Sequence, residues 1–298
     1  MAVVVLLGAG ASFGSVGVEP YAPPLGNGLF NDLVKRGGVA ATLPEYIKHL
    51  FENNFEDGMA EYFKYSNKNI MSFQRELAYY LAHFKPTESN VYLRLIRELG
   101  CQRVVYSSLN YDLLFELSAA KLGLFTTYSS EYHQGGVRLL KIHGSSNFWP
   151  DIPKGMLKNC NFYNSGIADI QAPIKPLNQI DTINKCKQED SVAPAIAMFA
   201  EGKAVRISPD YVQNQYEMWK EQVNKSSNIF VVGVRVHEID KHIWSILGNS
   251  KAKVTYFGFD NDRAEFNQWK INNNKKNAYF YNSDFEKSVQ IIKGLYRR

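Results

Sequence analysis

Six residues near the start, Ala2-Val3-Val4-Val5-Leu6-Leu7, are apolar and rich in β-branched side chains, and they run straight into Gly8-Ala9-Gly10-Ala11-Ser12. A strand with no polar alternate position has no face to offer to water. It must be covered on both sides, as a central strand of a parallel sheet is covered by helices. The later pattern agrees. Short apolar runs predict strands at 103–106, at a segment ending in Lys141-Ile142, and at 194–199, 228–232, 253–259 and 278–281. Helical spacing predicts helices at 25–35, 43–51, 59–65, 70–84, 112–121, 211–223, 239–247, 263–272 and 285–295. Strands alternating with helices define an α/β fold with a Rossmann-like parallel sheet.

Two stretches interrupt the alternation. Helical patterns follow one another from 25 to 98 and predict a helical subdomain inserted after the first strand. Residues 147–192 are rich in Asn, Pro, Gly and Lys with little periodicity, and are expected to form a loop-rich insertion. A chain of 298 residues is compatible with a single domain, 1–298, that carries both.

Charge and cysteine content exclude several classes. The net charge is only +5, with a pI near 8.9. The densest basic group, Lys270, Lys275, Lys276, Arg297 and Arg298, reads as a solvated face and tail. Direct nucleic-acid binding would need a longer stripe or interleaved aromatics and is not expected. Attraction to an anionic dinucleotide fits this charge equally well. The three cysteines, Cys101, Cys160 and Cys186, lie far apart with no C-x-x-C pair, so no zinc module is expected. Their sparseness suits a reducing compartment. Ala2–Leu7 followed by Ala9-Gly10-Ala11 imitates a secretory leader but has no basic segment before it. No apolar run approaches the roughly 20 residues of a membrane span, so a cytoplasmic protein is expected.

Chemistry-bearing residues collect at strand ends. Gly8-Ala9-Gly10-Ala11-Ser12 allows a tight turn and close approach of backbone to a pyrophosphate, although Phe13 stands where a third glycine is usual. Read alone it is also compatible with a structural turn. Ser108-Leu109-Asn110-Tyr111-Asp112 follows a strand and opens a helix, where Asn110 or Asp112 could act on a ligand or merely cap the helix. Lys141-Ile142-His143-Gly144-Ser145 places a histidine at a strand end, as a proton acceptor or a structural histidine. Gly233 ends a later strand, and Asp260 follows another, where it could bond a ribose hydroxyl.

In this order the motifs resemble the sirtuin superfamily, from residue 3 to about 262. Sirtuins carry Gly-Ala-Gly-(Ile/Ala)-Ser, Thr-Gln-Asn-(Ile/Val)-Asp, His-Gly and a Gly-Thr-Ser turn. Here Ser108-Leu109 replaces Thr-Gln, and Gly233-Val234-Arg235 replaces Gly-Thr-Ser. Asn-Tyr-Asp together with Lys-Ile-His-Gly-Ser looks closer to the sirtuin-like proteins of bacterial antiphage defence, which are NADases. The four zinc cysteines of deacylases are absent; residues 147–192 hold only Cys160 and Cys186.

The resemblance implies a role for each position. Gly8, Ala9, Gly10 and Ser12 would hold phosphates and the nearby ribose. Asn110 would position the attacking water, and Asp112 would bond the nicotinamide carboxamide. His143 would contact ribose hydroxyls and accept a proton, and Gly233 and Asp260 would serve the adenosine half. NAD is then a substrate, hydrolysed to nicotinamide and ADP-ribose with no metal required. The alternatives are an NAD-dependent protein deacylase and a non-catalytic module that binds NAD or ADP-ribose. The resemblance further implies self-assembly into a homo-oligomer, or activation by a separate protein such as an ATPase or an Argonaute-type partner.

Overall fold

The apolar first strand lies in the middle of a seven-stranded sheet. This architecture comes from a computed structural model, which describes residues 2–67, 69–153, 170–197, 207–237 and 240–297. Strand β1 (Ala2–Leu7) turns at Gly8 into the five-residue helix α1 (Ala9–Phe13). Strands β2 (Val18–Glu19) and β3 (Lys85–Pro86) pair antiparallel. Between them run α2 (Gly26–Lys35), α3 (Glu45–Asn53), α4 (Phe55–Tyr65) and α5 (Met71–Leu81). Helix α6 (Val91–Leu99) leads into β4 (Val104–Ser108), α7 (Leu114–Lys121), β5 (Phe125–Thr127) and β6 (Gly136–Lys141). An antiparallel pair, β7 (Phe148–Pro150) and β8 (Ile174–Pro176), precedes α8 (Gln179–Gln188). The remainder alternates: α9 (Pro209–Lys225), β9 (Ser226–Val232), α10 (Lys241–Asn249), β10 (Lys253–Gly258), α11 (Arg263–Asn272), β11 (Ala278–Asn282) and α12 (Phe285–Tyr296).

The sheet order is β11-β10-β9-β1-β4-β6-β5, and every neighbouring pair is parallel. The α/β Rossmann-like class read from the sequence is therefore the class observed. The alternation of β1 explains why all its residues are apolar. Val3, Val5 and Leu7 pack into one core with residues of α2, α5, α6, α7 and α12, whereas Val4 and Leu6 pack into another with residues of α9, α10 and α11. From β1 the chain builds β4 and β6 on one side, and from β9 it builds β10 and β11 on the other. The direction of growth changes between β1 and β9. Crevices at such switch points, beyond the carboxyl ends of the strands, are where open α/β sheets bind ligands.

Several local expectations change. The expected strand at 194–199 is not one among the described residues. Ile196 makes only an isolated bridge with Gly144, and residues 198 and 199 lie outside the description. The segment runs across the end of the sheet instead. Its backbone is satisfied by Ala195 N–H to the Phe148 carbonyl and Ala197 N–H to the His143 carbonyl. The insertion at 147–192 holds more regular structure than its composition suggests: β7, β8 and α8. Helix α8 is polar because, of its residues, only Thr182 and Cys186 are buried, and Asn178 caps it. Cys160 lies outside the described residues. Strand β5 escapes the sequence pattern because it is a three-residue edge strand with no buried position. Among the described residues, no helix is long and apolar enough to cross a membrane.

Candidate functional site

The turns after β1 and β9 meet at the switch point, and their glycines are explained by that contact. A Cβ on Gly8 would lie 2.3 Å from the Gly233 carbonyl oxygen, and one on Gly233 would lie 2.1 Å from the Ala11 nitrogen. Gly233 also has a φ of +67°, which glycine adopts without strain. Gly8 N–H donates to the Val232 carbonyl, and Gly10 N–H donates to the Gly233 carbonyl at 3.0 Å. The Gly-Ala-Gly turn thus holds two strand ends together, and the Gly10 amide is engaged by protein.

Beside these turns opens a cavity of about 660 Å³. Its wall includes Gly8, Ala9, Gly10, Ser12, Asn110, Asp112, His143 and Gly233. Residues that the sequence separates by more than two hundred positions therefore share one cavity. Asp260 is not in that wall. Its carboxylate pairs with Arg263 at 2.8 Å and accepts from Asn282, while Asn261 and Asp262 line the cavity instead.

A buried network fixes the loop after β4. Asn110 Nδ2 donates to the Gly8 carbonyl at 2.9 Å and to Ser12 Oγ at 2.8 Å. Ser12 Oγ donates to Asp112 Oδ2 at 2.8 Å, so its contact with the Tyr92 hydroxyl at 2.8 Å is one in which tyrosine donates. Burial, then the neighbouring Asp112 charge, raises the Tyr92 pKa well above the usual value, which keeps that donor proton in place. The serine hydroxyl now has one donation and two acceptances, its full capacity. Asp112 Oδ1 accepts from Leu114 N–H at 3.0 Å, and so Asp112 does cap the start of α7. Asn110 caps nothing; its own N–H donates to Ser108 Oγ.

One atom of this network has no partner. Asn110 Oδ1 is buried and accepts no hydrogen bond, although its amide nitrogen is tied on two sides. The carbonyl of Gly8 can only accept, which fixes which end of the carboxamide is nitrogen. Leaving a buried acceptor unsatisfied costs about 1–3 kcal/mol. The atom therefore has a strong requirement for a donor, and Asn110 lies in the cavity wall.

Sequence reasoning missed several contributors. Lys141, 1% exposed, donates its ammonium to the Asp112 carbonyl at 2.7 Å and pairs with Glu116 at 3.3 Å. Burial pushes the Glu116 carboxyl up, against the pull of Lys141. Tyr128 and Asn147 continue this chain of polar contacts away from the cavity. His242, in the first turn of α10, brings its Nε2 to 3.0 Å from Nε2 of His143. With Asp240 these two histidines form a group whose donor atoms all lie within 4.8 Å of one another. Their only early signal was the pattern Asp240-Lys241-His242 at the start of a helix, which carries no information about a partner 99 positions away.

No protein-family model and no curated protein sequence matches this chain. Among solved structures, one described as "The Structural basis of Sirtuin Substrate Affinity" is similar at 16% identity, with 98% of this chain and 92% of that chain covered and a TM-score of 0.45. Another, "Structural Basis for the Mechanism and Regulation of Sir2 Enzymes", is similar at 14% identity, with 100% and 92% covered and a TM-score of 0.44. The likeness concerns the course of the chain and assigns no role to any residue.

Proposed function

We propose that this protein hydrolyses NAD to nicotinamide and ADP-ribose at the cavity beside Asn110. The observation that carries the reading is the Asn110 carboxamide: locked through its nitrogen, buried, and with a free acceptor oxygen at a Rossmann-type switch point. A volume of about 660 Å³ falls within the roughly 300–1,000 Å³ typical of small-ligand sites. The order of motifs along the chain supports the choice of NAD.

The reaction breaks the bond between ribose C1′ and the nicotinamide nitrogen. Nicotinamide leaves with the bonding electron pair and becomes neutral, and the ribose takes on oxocarbenium character. Asn110 Oδ1 accepts a hydrogen bond from the attacking water or a ribose hydroxyl, and its partial negative charge faces the developing cation. Water forms the new C1′–O bond, and its proton passes to His143. The turn at Gly8, Ala9 and Gly10 gives the pyrophosphate room to approach backbone. Ser12 acts through Asn110, since its hydroxyl is fully engaged. Asp112 positions the loop and faces the carboxamide of nicotinamide. In the cell we propose an antiphage effector that depletes NAD, switched on by self-assembly or by a separate activating protein.

The test is incubation of purified protein with NAD while nicotinamide is followed, with no acyl peptide present. Release of nicotinamide and ADP-ribose in equal amounts is expected. Release only when an acyl-lysine peptide is added would make the protein a deacylase, and binding without release would make it a regulatory module.

A further inference from the structure

His143, Asp240 and His242 come from opposite halves of the sheet. His143 follows β6, whereas Asp240 immediately precedes α10, which follows β9; strands β1 and β4 lie between. The two elements meet above the end of the sheet, and His143 and Asp240 both face the cavity. His143 is 3% exposed, and the other two are half-buried.

The donor geometry is what a cation asks for. Two imidazole nitrogens bound to one ion at about 2.0–2.1 Å, with angles of about 90–110° between them, are roughly 2.8–3.4 Å apart. The observed separation is 3.0 Å. A carboxylate oxygen within 4.8 Å of both nitrogens completes three ligands on one side, and the remaining side is open to the cavity. Two imidazoles and one carboxylate suit divalent zinc, cobalt, nickel, iron or manganese better than magnesium or calcium, which prefer oxygen.

We propose that His143, Asp240 and His242 form a binding site for a divalent transition-metal ion, and that the bound ion holds NAD hydrolysis off. The second part rests on the NADase reading. Nε2 of His143 and Nε2 of His242 share one proton in a hydrogen bond; an ion bound to both replaces that proton and leaves neither nitrogen a lone pair to take one from the attacking water. Metal and catalysis then exclude one another.

The experiment uses the full chain, stripped with chelator and titrated with Zn²⁺ against a chromophoric competitor. One equivalent is expected to bind. Asp240→Asn and His242→Gln should each weaken binding by at least the roughly 10-fold that losing even an outer partner costs at metal sites. Both keep side-chain size, and melting temperature checks their folding. Co²⁺ should give visible d–d bands without thiolate charge transfer, which separates this site from Cys101, Cys160 and Cys186. One equivalent of Zn²⁺ should suppress nicotinamide release, and EDTA should restore it. No stoichiometric binding to the folded wild-type chain overturns the site, as does a thiolate band or full affinity in both variants. Binding with undiminished hydrolysis overturns the inhibitory role. Metal binding by a stripped protein that releases no nicotinamide sustains the site and sinks the NADase reading. Hydrolysis by a chain that binds no metal does the reverse.

Discussion

At the residue scale, the site depends on one serine hydroxyl used to capacity. Ser12 accepts from Asn110 and Tyr92 and donates to Asp112. Ser12→Ala removes the acceptor of two buried donors and should cost about 1–3 kcal/mol of stability. Because Asn110 keeps its bond to the Gly8 carbonyl, the carboxamide is loosened rather than released. Nicotinamide release should therefore fall in turnover more than in KM, and by less than in Asn110→Ala. Steady-state kinetics and thermal melts on the same samples decide this; a rise in KM alone would place Ser12 in substrate binding. Glycines and strand-end polar residues were legible in the sequence because their demands are local. Tyr92, Lys141, Glu116 and His242 were not, because each acts through a partner 20 or more positions away.

At the scale of elements, the long apolar strands of the central sheet were read correctly, as was the mostly exposed edge strand β11, whereas strands of two or three residues were missed. Strand β1 has its apolar residues split between two cores, whereas β5 has no buried position. The expected strand at 194–199 misled because burial there comes from crossing the sheet end, not from pairing within it. The helical layer offers a test of its own energetics. Glu76 on α5 accepts from Ala40 N–H at 3.0 Å, and burial, the largest influence, raises its carboxyl above the ordinary 4.5. A raised folded pKa gives stability that is complete below the unfolded value and is lost as pH rises through the folded value. Glu76→Gln keeps an oxygen acceptor and never ionises. The melting temperature of the variant relative to wild type should therefore climb as pH is raised from about 4.5. A difference independent of pH would show that this carboxyl is not shifted.

At the scale of the whole molecule, the helices between β1 and β4 do not form a separate core. Phe30, Phe51 and Phe73 of that layer belong to the same apolar cluster as Val3, Val5 and Leu7 of the central strand. We therefore predict one cooperative thermal transition, with calorimetric and van't Hoff enthalpies equal; two resolved transitions would divide the chain. The same packing places Tyr92 of α6 beneath the loop after β4, so the layer that shapes the core also supports the site. In the proposed reaction Asn110 acts on the transition state and not on the resting substrate. Nicotinamide release and NAD affinity should be measured together on wild type and Asn110→Ala. An interaction made in the transition state lowers turnover with little change in binding. Turnover should fall on the order of 100-fold or more, with the dissociation constant nearly unchanged. A folded Asn110→Ala protein that releases nicotinamide at the wild-type rate would contradict this role.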